Sequence, residues 1–145
     1  EGMTRINAEF QTLFSVMFGG GTAKAAPVDE GVEVEVSIPR KKIKGLMMLS
    51  GGERALTSIA LIFALASVKP PPFIVLDETD AALDEANSKK YGDMIESLSN
   101  HSQLILITHN RETMSRAGVL YGVTMERGAS RLLSLAFEDA VVVAK

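Results

Sequence analysis

The chain has no cysteine, no excess of basic charge and no apolar run long enough to read as a membrane span. Without cysteine there can be no disulfide and no thiolate metal centre, and nothing indicates an oxidising compartment. Fifteen Lys and Arg stand against 18 Asp and Glu, a net charge of −3. No global basic footprint for nucleic acid exists, so any DNA contact must come from a local patch or a partner. The longest apolar stretch, residues 55–68, is broken by Thr57, Ser58 and Ser67. It falls short of the roughly 20 residues a bilayer requires, and its mid-chain position excludes a secretory signal. Repeats and low-complexity segments are also lacking. A cytosolic protein is expected, and an opening Glu1 in place of Met suggests a segment excised from something longer.

What is present is a chain of 145 residues, 46% apolar and 23% charged, enough for one domain with a core. Ile6, Phe10, Leu13, Phe14 and Met17 recur at spacings of three and four, predicting an amphipathic helix that Gly19-Gly20-Gly21 stops. Val32, Val34, Val36 and Ile38 alternate with polar residues, a half-buried strand closed by Pro39. The basic run Arg40-Lys41-Lys42-Ile43-Lys44 follows, either a solvated loop or a contact for DNA phosphates. Residues 53–68 read as a helix apolar on most faces, hence buried, and Pro70-Pro71-Pro72 ends it. Residues 73–76 form a continuous apolar run, expected of a central parallel strand covered on both sides. A helix over 85–99, a second buried strand over 104–107 and a short helix over 111–116 come next. Residues 119–125 and 130–137 suggest a hairpin around Gly128. Alternating strands and helices imply an α/β layer with parallel strands, whose ligands sit at the carboxyl ends of the strands.

Asp77-Glu78 and Thr108-His109 both fall at such ends. Nucleotide hydrolysis needs one carboxylate to hold Mg²⁺ through water and another to orient or deprotonate the attacking water. Taken alone, Asp77 and Glu78 are equally two solvated acids opening a turn. Ser50-Gly51-Gly52 precedes a helix, where free N–H groups and the helix dipole make an anion site that glycines open to a phosphate. The alternative is an ordinary N-cap, with Ser50 capping and Glu53 at the capping-box position. The two are compatible. Asp84 opens the next helix and can be simply its N-cap, while His109 can be a packing residue or a γ-phosphate contact. The order of these signals and their spacing are more specific than any one of them.

Leu49-Ser50-Gly51-Gly52-Glu53, Phe73-Ile74-Val75-Leu76-Asp77-Glu78, Ala82-Leu83-Asp84 and Ile107-Thr108-His109 resemble the signature, Walker B, D-loop and switch histidine of ATP-binding-cassette (ABC) ATPases. The run from Pro72 to Asn87, residues 10–21 and Leu120-Tyr121-Gly122-Val123-Thr124-Met125 resemble, more narrowly, the C-terminal head segment of structural maintenance of chromosomes (SMC) proteins. The resemblance spans residues 10–137. It departs at Thr79, where the family usually has an aliphatic residue, a change expected to leave the chemistry unaltered. It also lacks a Walker A loop: Gly19-Gly20-Gly21-Thr22-Ala23-Lys24 has neither the Gly-x4-Gly-Lys-Ser/Thr spacing nor a following helix.

The resemblance implies the C-terminal half of a split ATPase head. Residues 1–18 would be the end of a coiled-coil helix, and 19–145 an α/β lobe with a mostly parallel sheet flanked by helices and a terminal hairpin. It further implies Mg²⁺ at Asp77 through water, Glu78 as catalytic carboxylate and His109 sensing the γ-phosphate. Asp84 would lie between heads. Leu49, Ser50, Gly51, Gly52 and Glu53 would meet ATP held by a second head. Implied partners are the N-terminal half, a second SMC head, a kleisin subunit and DNA, in a cytoplasmic, nucleoid-associated setting of chromosome condensation and segregation. The chain alone would be inactive. A transporter cassette is disfavoured, because Thr79, Glu53 and the discontinuous cassette all disagree with it. A double-strand-break repair ATPase of the same superfamily is closer, and a non-enzymatic module that only docks a kleisin is the rival from another class.

Overall fold

In the computed structural model, residues 2–39 and 45–135 are described. Helix α1 (Gly2–Phe18) leads into an antiparallel pair, β1 (Thr22–Val28) and β2 (Gly31–Ser37). A single 3-10 turn at Leu46–Met48 precedes helix α2 (Gly51–Val68). Strand β3 (Phe73–Asp77), helix α3 (Glu85–Ser99) and strand β4 (Gln103–Ile107) form one crossover unit, with β3 and β4 parallel and paired from Phe73↔Gln103 to Asp77↔Ile107. Helix α4 (Arg111–Ser115) and the hairpin β5 (Leu120–Glu126) and β6 (Ala129–Leu135) complete the order.

The α/β class holds, but the mostly parallel sheet does not. Among the described residues there are three two-stranded sheets, one parallel and two antiparallel. The parallel pair is also covered on one face only. Ile74, Leu76, Leu104 and Leu106 pack toward the core, whereas Phe73 (60% exposed), Val75 (52%), Ile105 (49%) and Ile107 (50%) face outward. Among the described residues, neither flanking edge of the pair carries another strand.

The core lies between α1, α2 and α3. Phe10, Phe14 and Met17 of α1 meet Leu56, Ile59, Ala60, Phe63 and Ala64 of α2 and Tyr91, Met94, Ile95 and Leu98 of α3. Phe63 and Tyr91 stack with centroids 6.1 Å apart. Lys90 donates to the Met17 carbonyl at 2.6 Å, placing a cation at the C-terminal end of α1 and tying it to α3. The 18 residues of α2 have the length and composition of a membrane span, more than the sequence reading allowed, because the helix begins at Gly51. Its seven buried residues, its polar capped start and its packing on α1 make it the core helix of the lobe. It is less buried than expected, since Ile62 and Leu65 remain exposed.

Strand β1 was not legible in the sequence. Its inward residues are Ala23 and Ala25, too small to give an apolar alternation and poor strand formers. Side chains of α1 hold its outer edge as a neighbouring strand would. Asn7 Oδ1 accepts from Ala25 N at 2.7 Å and Asn7 Nδ2 donates to Ala25 O at 2.9 Å. Gln11 Oε1 accepts from Ala23 N at 2.9 Å while its amide donates to Gly21 O at 2.9 Å. At Gly21 (φ 90°) a Cβ would lie 2.3 Å from the Ser37 carbonyl, so only glycine lets the chain turn from α1 into the hairpin. The basic run at residues 40–44, and the last residues of the expected hairpin, 136 and 137, lie outside the described residues.

Candidate functional site at the ends of the parallel strands

Two groups of expected site residues lie on different elements. The first is at the carboxyl ends of β3 and β4. Asp77 is the last ladder residue, opposite Ile107, and its exposed carboxylate accepts no hydrogen bond from any described residue. Glu78 extends the ladder by one bond, its N–H donating to the Ile107 carbonyl at 2.8 Å, and then turns sharply with φ 47°. A left-handed glutamate is uncommon. It persists where surrounding bonds over-determine it, and such residues cluster at functional sites. His109 Nδ1 lies 3.6 Å from Glu78 Oε1, beyond hydrogen-bond range, with both side chains mostly exposed. Such a pair adds little stability, so both groups remain accessible to a ligand.

The carboxylate oxygens of Asp77 and Glu78 are the hard donors Mg²⁺ prefers. No three His, Cys, Asp or Glu side chains converge among the described residues, so there is no all-protein metal cage. One or two carboxylates completed by water and substrate phosphates is the usual form of a Mg²⁺ site, and these residues fit it.

The second group opens α2. Ser50 is its N-cap, and the capping box is complete: Ser50 Oγ accepts from Glu53 N at 3.3 Å, and Glu53 Oε2 accepts from Ser50 N at 2.9 Å. The N-cap reading of Ser50 and Glu53 is therefore correct as geometry, and it leaves Ser50 and Gly51 at the surface. Leu49 is buried and anchors the turn rather than facing a ligand. Gly52 approaches the turn that follows β3: a Cβ there would stand 3.2 Å from the Ala82 carbonyl. Asp84 caps α3, its Oδ1 accepting from Asn87 N at 2.8 Å, and is exposed.

The sequence reading missed the groups that hold these loops. Asp80 is 2% exposed, and its Oδ2 accepts from Thr108 Oγ1 at 2.7 Å and from Thr113 Oγ1. Asn110 caps α4 through Glu112 N at 3.0 Å and donates to the buried Ser88 Oγ at 2.8 Å. Thr79, expected to be a silent replacement for an aliphatic residue, has its hydroxyl bonded to the Tyr91 hydroxyl. The only available signal was the run of small polar residues directly after each strand.

Residues 5–131 match the family described as RecF/RecN/SMC N terminal domain. The chain belongs to the RecF/RecN/SMC family. It is 46% identical over 142 residues to the Chromosome partition protein Smc of Myxococcus xanthus, covering 93% of this chain but 12% of that protein. The SMC-type chain thus spans about one eighth of that relative. A chain solved for the structural biochemistry of ATP-driven dimerization and DNA-stimulated activation of SMC ATPases superposes with a TM-score of 0.87 at 36% identity. The match covers 98% of this chain and 90% of that one. A crystal structure of an Smc head bound to the C-winged helix domain of ScpA matches with a TM-score of 0.86 at 37% identity, covering 95% of this chain and 45% of that one. The chain therefore shares its fold with solved SMC heads at 36–37% identity.

Proposed function

We propose that the chain is the C-terminal half of an SMC ATPase head and works only when a Walker A half completes it. The observation that carries the proposal is the parallel pair. Its carboxyl ends bear Asp77, Glu78 and His109, while Phe73, Val75, Ile105 and Ile107 form an exposed apolar face beside two strand edges that no other described strand pairs. Parallel strands are normally covered on both faces. The missing cover and the missing phosphate loop are accounted for together by one complementary half. The family description names an N-terminal domain, whereas the motif order here (signature, acidic strand end, D-loop, histidine) supports the opposite half.

In the completed head, Asp77 would hold Mg²⁺, which would supply neutralisation of the phosphate charge. Glu78 orients and deprotonates the attacking water, and His109 contacts the γ-phosphate. Ser50, Gly51 and Gly52, with Leu49 and Glu53 behind them, present the start of α2 to the γ-phosphate of ATP on a second head, and Asp84 lies between heads. ATP then joins two heads and hydrolysis releases them. The first turns of α1 continue a coiled coil, while Phe10, Phe14 and Met17 keep its far end in the core. The likeness to a head bound to the C-winged helix domain of ScpA supports a kleisin partner, and the exposed apolar residues of β5 and β6 suit that docking. DNA handling in chromosome partition, in the cytoplasm at the nucleoid, is the proposed setting.

The test is reconstitution. The chain alone should neither bind nor hydrolyse ATP appreciably, and adding the Walker A half should restore both. Glu78→Gln should then trap engaged heads. Turnover by the chain alone equal to that of the complete head would overturn the proposal.

A further inference from the structure

Asp80 is a buried carboxylate that none of the roles above uses. A buried charge is costly unless its lone pairs are satisfied, and here one oxygen collects two hydroxyl protons, from Thr108 and Thr113. A carboxylate can only accept at that point, so both threonines are fixed as donors. Thr108 Oγ1 is then left with lone pairs to accept the Asn110 N–H, as it does at 2.9 Å. Asn110 is in turn fixed to Ser88 of α3 and to the first turn of α4. The residues on both sides of His109 are thereby locked, and the lock closes on Asp80, two positions after Glu78.

Glu78 is fixed by the same construction. Its N–H is bonded to Ile107, and its carbonyl accepts from Ala81 N at 3.1 Å. Asp80 pins the chain just beyond, where the left-handed turn would otherwise relax. We infer that Asp80 is a positioning residue for hydrolysis: by holding Thr108 and Thr113 it fixes the β3 and β4 loops together, so that Glu78 and His109 face the nucleotide as one unit. This rests on the roles given above to Glu78 and His109. Asp80 touches neither substrate nor metal in this scheme and acts only through them.

The test uses the complete head of the parent protein. Asp80→Asn and Thr113→Val should lower kcat by roughly 10–100-fold, the scale of an ångström of misplacement. KM for ATP should stay within about twofold, because binding does not depend on the lock. Thr113→Ser, which keeps the hydroxyl, should restore kcat. In the Glu78→Gln background, followed by single-turnover ATP cleavage, adding Asp80→Asn should change the residual rate by less than about twofold, since the two residues act as a unit. Unchanged kcat in both variants, or the same fold-loss with and without Glu78, would overturn the inference and leave Asp80 a structural tie. If Asp80→Asn does not fold, the Thr113 pair decides by the same criteria. Wild-type turnover by Glu78→Gln alone would instead overturn the assignment of Glu78, which separates the two failures.

Discussion

Ser50 can be tested so that its cap and its proposed phosphate contact give opposite results. The perturbation is Ser50→Asp, with Ser50→Ala beside it. Alanine removes an oxygen that accepts from Glu53 N at a long 3.3 Å, while the 2.9 Å bond from Ser50 N to Glu53 stays. Cap losses cost about 0.5–2 kcal/mol, and this long, exposed bond belongs near the lower end. At 2–4 °C per kcal/mol for a chain of this size, the thermal midpoint should fall by about 1–4 °C. Aspartate caps as well as serine and suits the positive end of the α2 dipole. Repulsion from Glu53 offsets part of that gain, so its midpoint should stay within about 2 °C of wild type. A carboxylate about 4 Å from a γ-phosphate costs about 4 kcal/mol per charge pair at an effective dielectric of 20. That corresponds to a loss of roughly 10²–10³ in head engagement. The assays are thermal melts of the chain, and ATP-dependent dimerisation of the complete head by sedimentation in the Glu78→Gln background. An aspartate variant that melts and engages like wild type would refute the phosphate contact and leave Ser50 a cap.

Three further outcomes follow from the packing. Phe73→Asp lies on the bare face, so it should change the stability of the chain alone by less than about 0.5 kcal/mol yet prevent association with the Walker A half; calorimetric titration of the two halves checks this, and wild-type affinity would count against the proposed interface. Phe63→Ala removes the ring stacked on Tyr91 and should cost about 3–5 kcal/mol in denaturant unfolding. Burial raises the Tyr91 hydroxyl above its ordinary 10.0, outweighing the bond from Thr79 that lowers it. The neutral phenol is therefore favoured in the folded state, so its contribution is complete below pH 10 and is lost as pH rises through the higher folded value. Tyr91→Phe should lack that alkaline loss in paired urea titrations, and identical slopes would exclude it.

Where apolar side chains are large, the sequence was readable. Phe10 and Phe14, Leu56, Ile59 and Phe63, and Tyr91 and Ile95 announce their helices by spacing and all lie in the core. The placement of the candidate site residues was readable too, since acids and a histidine were expected at strand ends, and Asp77, Glu78 and His109 lie at the carboxyl ends of β3 and β4. Strand β1 was not readable, since two alanines carry no periodic signal and its edge is satisfied by Asn7 and Gln11 from another element. Asp80 was hidden for a similar reason. An aspartate in a polar loop looks solvated until Thr108 and Thr113, distant in sequence, are seen to converge on it.

The continuous apolar runs at 73–76 and 104–107 predicted burial on both faces, and the lobe covers only one. That mismatch is informative because side chains alternate along a strand: a chain evolved to end its sheet here would place polar residues at 73, 75, 105 and 107. It carries Phe, Val, Ile and Ile instead. Two strand edges left unpaired among the described residues, beside such a face, would invite aggregation unless another element covers them. The same strands end in Asp77 and Glu78, so whatever covers the face also stands next to the acids and decides what reaches them. On the proposed reading, the exposed apolar face and the incomplete site are one feature, located at β3 and β4. A single complementary half would complete both.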